Sequence, residues 1–321
     1  MIIVWRVTQQ CNLSCPFCAW DRRLPGPRIG AGAADVWRFA RILGDYQREC
    51  DDPVLLSWLG GEPLLWPPLF DLAPRIAVLG IAQSATTNGT TLGSSKLRAQ
   101  ILDCFSELTV SIDGFASLHE TLRDWPGGWA HLRESVAALV DERGAAQGTA
   151  RGGTKPLKLR ANIVVMRDNV AEFAALCTTL AGWGFDEITF NALGGRDRPE
   201  FFAAHRLAPA DVAAFERQLP ALRARLAVQG VRLCATPEYL SRIAASARDD
   251  CLAIDDCAPG ENFLFIDEHG RISPCSFTSD AYGVGINEIT GSSDLEALRG
   301  RFRIRRLARR HSLTAQLKRD V

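Results

Sequence analysis

The chain carries no net charge: 37 lysines and arginines balance 37 aspartates and glutamates over 321 residues. No global field therefore argues for nucleic acid or a membrane surface as a partner, and only local clusters could do so. It also lacks any run of roughly eighteen uncharged apolar residues, the length a membrane span needs. The opening IIVWRV after Met1 is too short and too weakly flanked for a signal peptide. These absences predict a cytoplasmic protein. No internal repeat or low-complexity block stands out. With 47% hydrophobic residues the chain can bury one large core and a small appended unit.

Cysteine, in contrast, is plentiful: ten residues, which in a reducing compartment read as metal ligands or buried thiols before disulfides. Cys50, Cys104, Cys177 and Cys234 are isolated among apolar neighbours, which predicts core packing for each. The other six fall into two groups. Cys11, Cys15 and Cys18 lie in CNLSCPFC, a CxxxCxxC frame. Three soft thiolates on one short loop can wrap a corner of an iron-sulfur cube and leave its fourth iron without a protein ligand. A zinc site normally closes with four ligands, often in CxxC pairs, and neither a completing pair nor a nearby histidine stands here. Three buried structural thiols are the remaining alternative.

Short β-rich runs alternate with amphipathic stretches, the signature of parallel βα units. Strands are expected at IIVWRV, VLLSWL, IAQSATT, ELTVSID, LKLRANIVV and DEITFNAL, with helices near 33–49, 67–79, 93–104, 129–143, 169–182 and 209–229. The fold class expected is α/β, a partial (β/α)6 barrel over residues 1–230 with a small β-hairpin and helix unit over 231–321. RGAAQGTARGGT, 143–154, reads as a surface loop. Ligands in such folds gather beyond the carboxyl ends of the strands. The cysteine loop, Gly60 and Gly61, Asn88, and Ser111 with Asp113 all follow successive strands and so land on one rim.

On CxxxCxxC with Phe17 before the third cysteine, LGGEP at 59–63, and VSIDG at 110–114 followed by HETLR ending at Arg123, the chain resembles the radical S-adenosylmethionine (radical SAM) superfamily. The resemblance implies a [4Fe-4S] cluster on Cys11, Cys15 and Cys18, whose open iron chelates S-adenosylmethionine. It implies reductive cleavage to a 5′-deoxyadenosyl radical, with an electron from a flavodoxin- or ferredoxin-type donor. Gly60 and Gly61 would let backbone approach the ligand, with Glu62 accepting from its ammonium. Ser111 would contact the ribose, beside Asp113, and Arg123 would pair with the ligand carboxylate. Asn88, Asn162 and Leu193 are further candidates for ribose and adenine contacts. Without the cysteine frame, GGEP would be an ordinary turn and Arg123 a solvated helix residue.

Cys257 and Cys275 frame twelve residues, Gly270 and four more, which resembles the opening of the SPASM and Twitch domains of that superfamily. FLFI and RIS flank DEHG, a pattern for a hairpin that brings two sulfurs together. Cys251, separated from Cys257 by five residues, supplies a third thiol. No cysteine follows Cys275, so the tail is closer to a Twitch domain with one auxiliary [4Fe-4S] cluster. Its fourth ligand is then His311, a carboxylate or the substrate, and zinc on the same thiols is the rival. An acidic residue after the last cysteine marks sulfatase-maturing relatives, and Ser276 stands here, which disfavours formylglycine formation. RFRIRRLARR, 301–310, is a solvated helix face or a grip on an acidic peptide leader or a phosphate.

The function expected is oxidative modification, crosslinking or dehydrogenation, of a ribosomally made peptide. Because the barrel starts at Met1, a separate partner protein or the arginine tail would recognise a leader. The alternatives are dehydrogenation or rearrangement of a small molecule by the same chemistry and, from another class, a non-catalytic iron-sulfur redox sensor.

Overall fold

The computed structural model describes residues 1–149, 156–195, 197–250 and 260–309, side chains at 147–149 and 304–309 excepted. Seven strands run parallel in chain order: β1 (Ile2–Thr8), β2 (Leu55–Gly60), β3 (Ala82–Thr87), β4 (Glu107–Ser111), β5 (Lys158–Val165), β6 (Glu187–Ala192) and β7 (Arg232–Cys234). Between them lie α1 (Ala33–Cys50), α2 (Leu69–Val78), α3 (Ser95–Cys104), α4 (Ala116–Arg123), α5 (Gly128–Thr149), α6 (Phe173–Gly182), α7 (Pro199–His205) and α8 (Pro209–Val228). After β7 come α9 (Pro237–Ala247), the hairpin β8 (Phe263–Ile266) and β9 (Arg271–Ser273), α10 (Ser279–Tyr282), β10 (Val284–Gly285) and α11 (Ser292–Arg309).

Strand periodicity sets the layers. On β5, Leu159, Ala161, Ile163 and Val165 are buried and the alternate residues are partly open. One face thus packs on helices and the other lines the inside of an open barrel. On β1 the packed face is Ile3, Trp5 and Val7; the Trp5 ring meets Phe39 of α1 edge-on at 5.7 Å and stacks on Trp58 of β2 at 6.4 Å. Burying each such side chain contributes roughly 1.5–3 kcal/mol. At the amino ends of β4 to β7, Lys158 Nζ reaches Glu107 at 2.9 Å, while Arg160 and Arg232 both pair with Glu187. That ionic ladder leaves the opposite rim to the site.

Four features depart from expectation. A seventh parallel strand, β7, extends the sheet beyond β6. The cysteine-bearing tail, expected as a unit of its own, adds its strands to the same sheet: β8 lies parallel to β1, Ile2 opposite Phe263, and the order runs β10-β9-β8-β1-β2-β3-β4-β5-β6-β7. Residues 143–149, read as loop, continue α5, because alanines propagate a helix and Gly144 faces open space. Cys50, assigned to the core, is exposed at the last turn of α1. Cys177 is buried as expected, while Cys104 and Cys234 are half-buried. Among the described residues no helix is long and apolar enough to cross a membrane.

Candidate active site

Cys11, Cys15 and Cys18 sit on the loop that leaves β1, at the carboxyl rim. Each sulfur meets an N–H donor: Leu13 N–H at 3.5 Å and Asn88 Nδ2 at 3.7 Å from Cys11, Trp20 N–H at 3.4 Å from Cys18, and Arg123 Nη1 at 4.0 Å from Cys15. Burial pushes all three thiols up, Cys15 to about 12, while Arg123 pulls Cys15 and Cys18 back down. Among the described residues no three His, Cys, Asp or Glu side chains converge on one metal ion. A cuboidal cluster makes a different demand, one thiolate per iron, with N–H donors on the sulfurs. The donor set fits such a cluster.

Gly60 and Gly61 end β2 against this loop. A Cβ on Gly60 would stand 2.7 Å from the Thr8 carbonyl oxygen, and one on Gly61 would overlap the Gln10 carbonyl. Gly61 N–H donates to Thr8 O and Glu62 N–H to Gln10 O, both at 2.7 Å. The glycines therefore admit the backbone of the cysteine loop itself, a closer neighbour than the ligand the sequence suggested. The Glu62 carboxylate is fully buried and accepts from Leu64 N–H (3.0 Å), the Thr87 hydroxyl (2.8 Å) and Asn88 N–H (2.6 Å). It ties the end of β2 to the end of β3. Burial pushes it up to about 7, against the pull of those donors.

Asp113 and Arg123 form a buried pair: Nε and Nη2 of Arg123 donate to Oδ2 at 2.7 and 2.5 Å. Phe17 is half-buried with its ring 5.5 Å from the guanidinium carbon and 5.9 Å from Phe201 of α7. Leu193, after β6, packs with Leu122 and Met166 in a small apolar cluster that Phe17 joins. Ser111 ends β4 opposite Asn162 of β5, whose side chain accepts from Asn191 of β6 at 3.1 Å. Asn88 also donates to Asn12 at 2.9 Å. The structure thus gathers the cysteine loop with Phe17, Gly60, Gly61, Glu62, Asn88, Asp113, Arg123 and Leu193. Ser111 and Asn162 lie side by side on neighbouring strands.

Cys275 follows β9, half-buried, its carbonyl accepting from Ser273 and Thr278. Cys251, Cys257 and His311 lie outside the described residues, as does Arg310 of the arginine run. Sequence reasoning missed several residues of the site. His119 and Asn169 hold the Asp113 peptide, and no motif marks Asn169. Asp21, buried beyond Cys18, binds Arg23 and receives Arg198 Nη1 at 3.3 Å. An aspartate soon after the cysteines, with arginines at 22, 23 and 28, was its only signal.

No family model matches the chain. It is 32% identical over 138 residues to a pre-heme d1 synthase of Dinoroseobacter shibae, which covers 42% of this chain and 32% of that protein. It is 24% identical over 294 residues to an AdoMet-dependent heme synthase of Methanosarcina barkeri, covering 86% of this chain and 76% of that one. These likenesses support the radical SAM superfamily. A PqqA peptide cyclase of Xanthomonas euvesicatoria pv. vesicatoria is 25% identical over 280 residues, with 85% of this chain and 67% of that one covered. The fold is seen also in Streptococcus suis SuiB bound to precursor peptide SuiA: TM-score 0.69, 15% identity, 94% of this chain and 66% of that one. The chain spans about a third of the length of the pre-heme d1 synthase it matches.

Proposed function

We propose that this protein is a radical SAM enzyme of the Twitch branch that oxidatively modifies, by crosslinking or dehydrogenation, a ribosomally made peptide. The observation that carries the reading is the cysteine loop at the barrel rim, with an N–H donor on each sulfur and a buried guanidinium beside Cys15. A [4Fe-4S] cluster held by Cys11, Cys15 and Cys18 supplies, when bound, the electron that cleaves S-adenosylmethionine to a 5′-deoxyadenosyl radical. Around it the chain's own residues bind and orient. Arg123 presents its remaining corner to the site, and Ser111 and Asn162 offer polar groups from β4 and β5. Phe17 and Leu193 supply apolar wall. The open inner face of the barrel gives a substrate access to that rim.

The peptide class rests on the relative named a PqqA peptide cyclase and on the fold shared with a protein solved with its precursor peptide. Residues 231–321, with Cys251, Cys257 and Cys275, would hold one auxiliary [4Fe-4S] cluster. A flavodoxin- or ferredoxin-type protein would deliver the electron, and a separate protein or the arginine run of α11 would hold a leader. A small-molecule substrate is the second reading, favoured by the two relatives named for heme synthesis. The test is anaerobic reconstitution with iron and sulfide, then reduction with S-adenosylmethionine. 5′-Deoxyadenosine should form, and should vanish when Cys11, Cys15 and Cys18 become alanine. Co-expression with short peptides encoded next to the gene should remove two hydrogens per event, read by mass. Turnover of a tetrapyrrole and of no peptide would replace the peptide reading; iron uptake without deoxyadenosine would leave the redox sensor.

A further inference from the structure

Arg123 is held from one side and faces a thiol on the other. Nε and Nη2 are engaged by a single carboxylate oxygen of Asp113, and Nη1 stands 4.0 Å from Cys15 Sγ. Asp113 cannot swing, because every polar group it owns is bound. Its Oδ1 accepts Val164 N–H at 2.8 Å, its N–H donates to His119 Nδ1 at 3.3 Å, and its carbonyl accepts Asn169 Nδ2 at 2.8 Å. His119 is fully buried beside Trp125 and Trp129, and burial drives it down to about 3, helped by the Arg123 charge, so the ring stays a neutral acceptor. Asn169 also donates to Val164 O at 2.8 Å and accepts Met166 N–H at 2.9 Å, which anchors this frame on the end of β5.

We infer that Arg123 is a positioning residue acting through Cys15: its fixed positive charge raises the reduction potential of the thiolate-bound cluster, and Asp113, His119 and Asn169 are the frame that keeps it there. The inference rests on the radical SAM reading of the cysteine loop and is separate from any contact of Arg123 with S-adenosylmethionine. One electron from a donor of the flavodoxin or ferredoxin class would be taken up by the irons and would add one negative charge to the cluster that Cys15 helps to hold, and no bond would form or break. A cation in a buried, low-dielectric site stabilises that added charge more than the oxidised state. Asp113 works against it, with Arg123 placed between that carboxylate and Cys15.

The test is a redox titration of the reconstituted protein without S-adenosylmethionine, followed by electron paramagnetic resonance. Arg123→Gln should lower the potential, a tenfold loss of reduced fraction at fixed poise being about 59 mV for one electron. Arg123→Lys, which keeps the charge but not the planar fork, should lower it by less. A loss graded by charge is what a merely structural disturbance would not give. Unmoved potentials in both variants, or equal shifts in both, overturn the inference; if Arg123→Lys loses its iron, the shift of Arg123→Gln decides. A wild-type protein that takes up no iron and sulfide sinks the reading of the site itself, whereas a normal wild-type signal with unmoved variants sinks only the role of Arg123.

Discussion

Gly61 leaves no room for a side chain, because the Gln10 carbonyl fills the place a Cβ would take and no flexible group can yield. Gly61→Ala should push the cysteine loop away from β2 at a cost of roughly 1–3 kcal/mol, the usual range for overpacking. The expected outcome is a lower urea midpoint together with reduced iron uptake; full uptake at unchanged midpoint would contradict it. Glu62 gives a pH signature in the metal-free protein. Its carboxyl is raised from 4.5 to about 7 by burial, so the folded chain holds this proton more tightly than the unfolded chain does. Its contribution is full below about pH 4.5 and is lost as pH rises through about 7, by as much as about 3 kcal/mol. Glu62→Gln cannot lose a proton. Its stability relative to wild type should therefore grow across that window and then level off, and parallel urea profiles from pH 5 to 8, about the range needed, would refute this.

Elements built from local pattern were legible, and elements defined by partners were not. The six strands expected from β-branched, apolar runs all form, since parallel strands carry that composition wherever they sit. β7 is three residues long and exists because Arg232 and Leu233 meet Glu187 and Ile188, which no local pattern encodes. The helices α4, α7 and α9 were not expected. α4 is eight residues inside a segment read for its chemistry, and α7 has no buried residue to set a period. Of the site, the cysteine frame, the GGE turn and the Asp113 to Arg123 segment were visible because spacing along the chain reports them. The frame of His119 and Asn169, and the brace of Asp21 and Arg198, join residues 6 to 177 positions apart and left no such trace.

The short helix α7 belongs to the same scale. It touches the cysteine loop through the contact of Phe201 with Phe17 and through Arg198 on Asp21. Arg198→Met should loosen that attachment by about 1 kcal/mol, the scale of a partly exposed ion pair. Hydrogen exchange of the amides from Cys11 to Leu24 should then quicken several-fold while α8 keeps its protection. Unchanged exchange in the cysteine loop would show that α7 does not brace it.

Across the whole molecule, the tail and the barrel share one sheet, with Glu268 of the β8–β9 turn bound by Arg6 and Gln9 of the first strand and its loop. Leu264, fully buried on β8, should therefore report on the entire fold. Leu264→Ala should cost about 2–5 kcal/mol and leave a single cooperative unfolding transition. Two resolved transitions, only one of them shifted, would show that the tail unfolds by itself.

The placement of β1 between β2 and β8 also bears on synthesis. Residues 2–5 precede both of their partner strands along the chain, and find one neighbour by residue 58 and the other only at 263–266. During most of elongation the strand that launches the cysteine loop thus presents a bare hydrogen-bonding edge, open to wrong pairing and to oxidation of the thiols beside it. Metal loading of a nascent chain would meet a half-built cradle, so maturation should follow release rather than accompany translation.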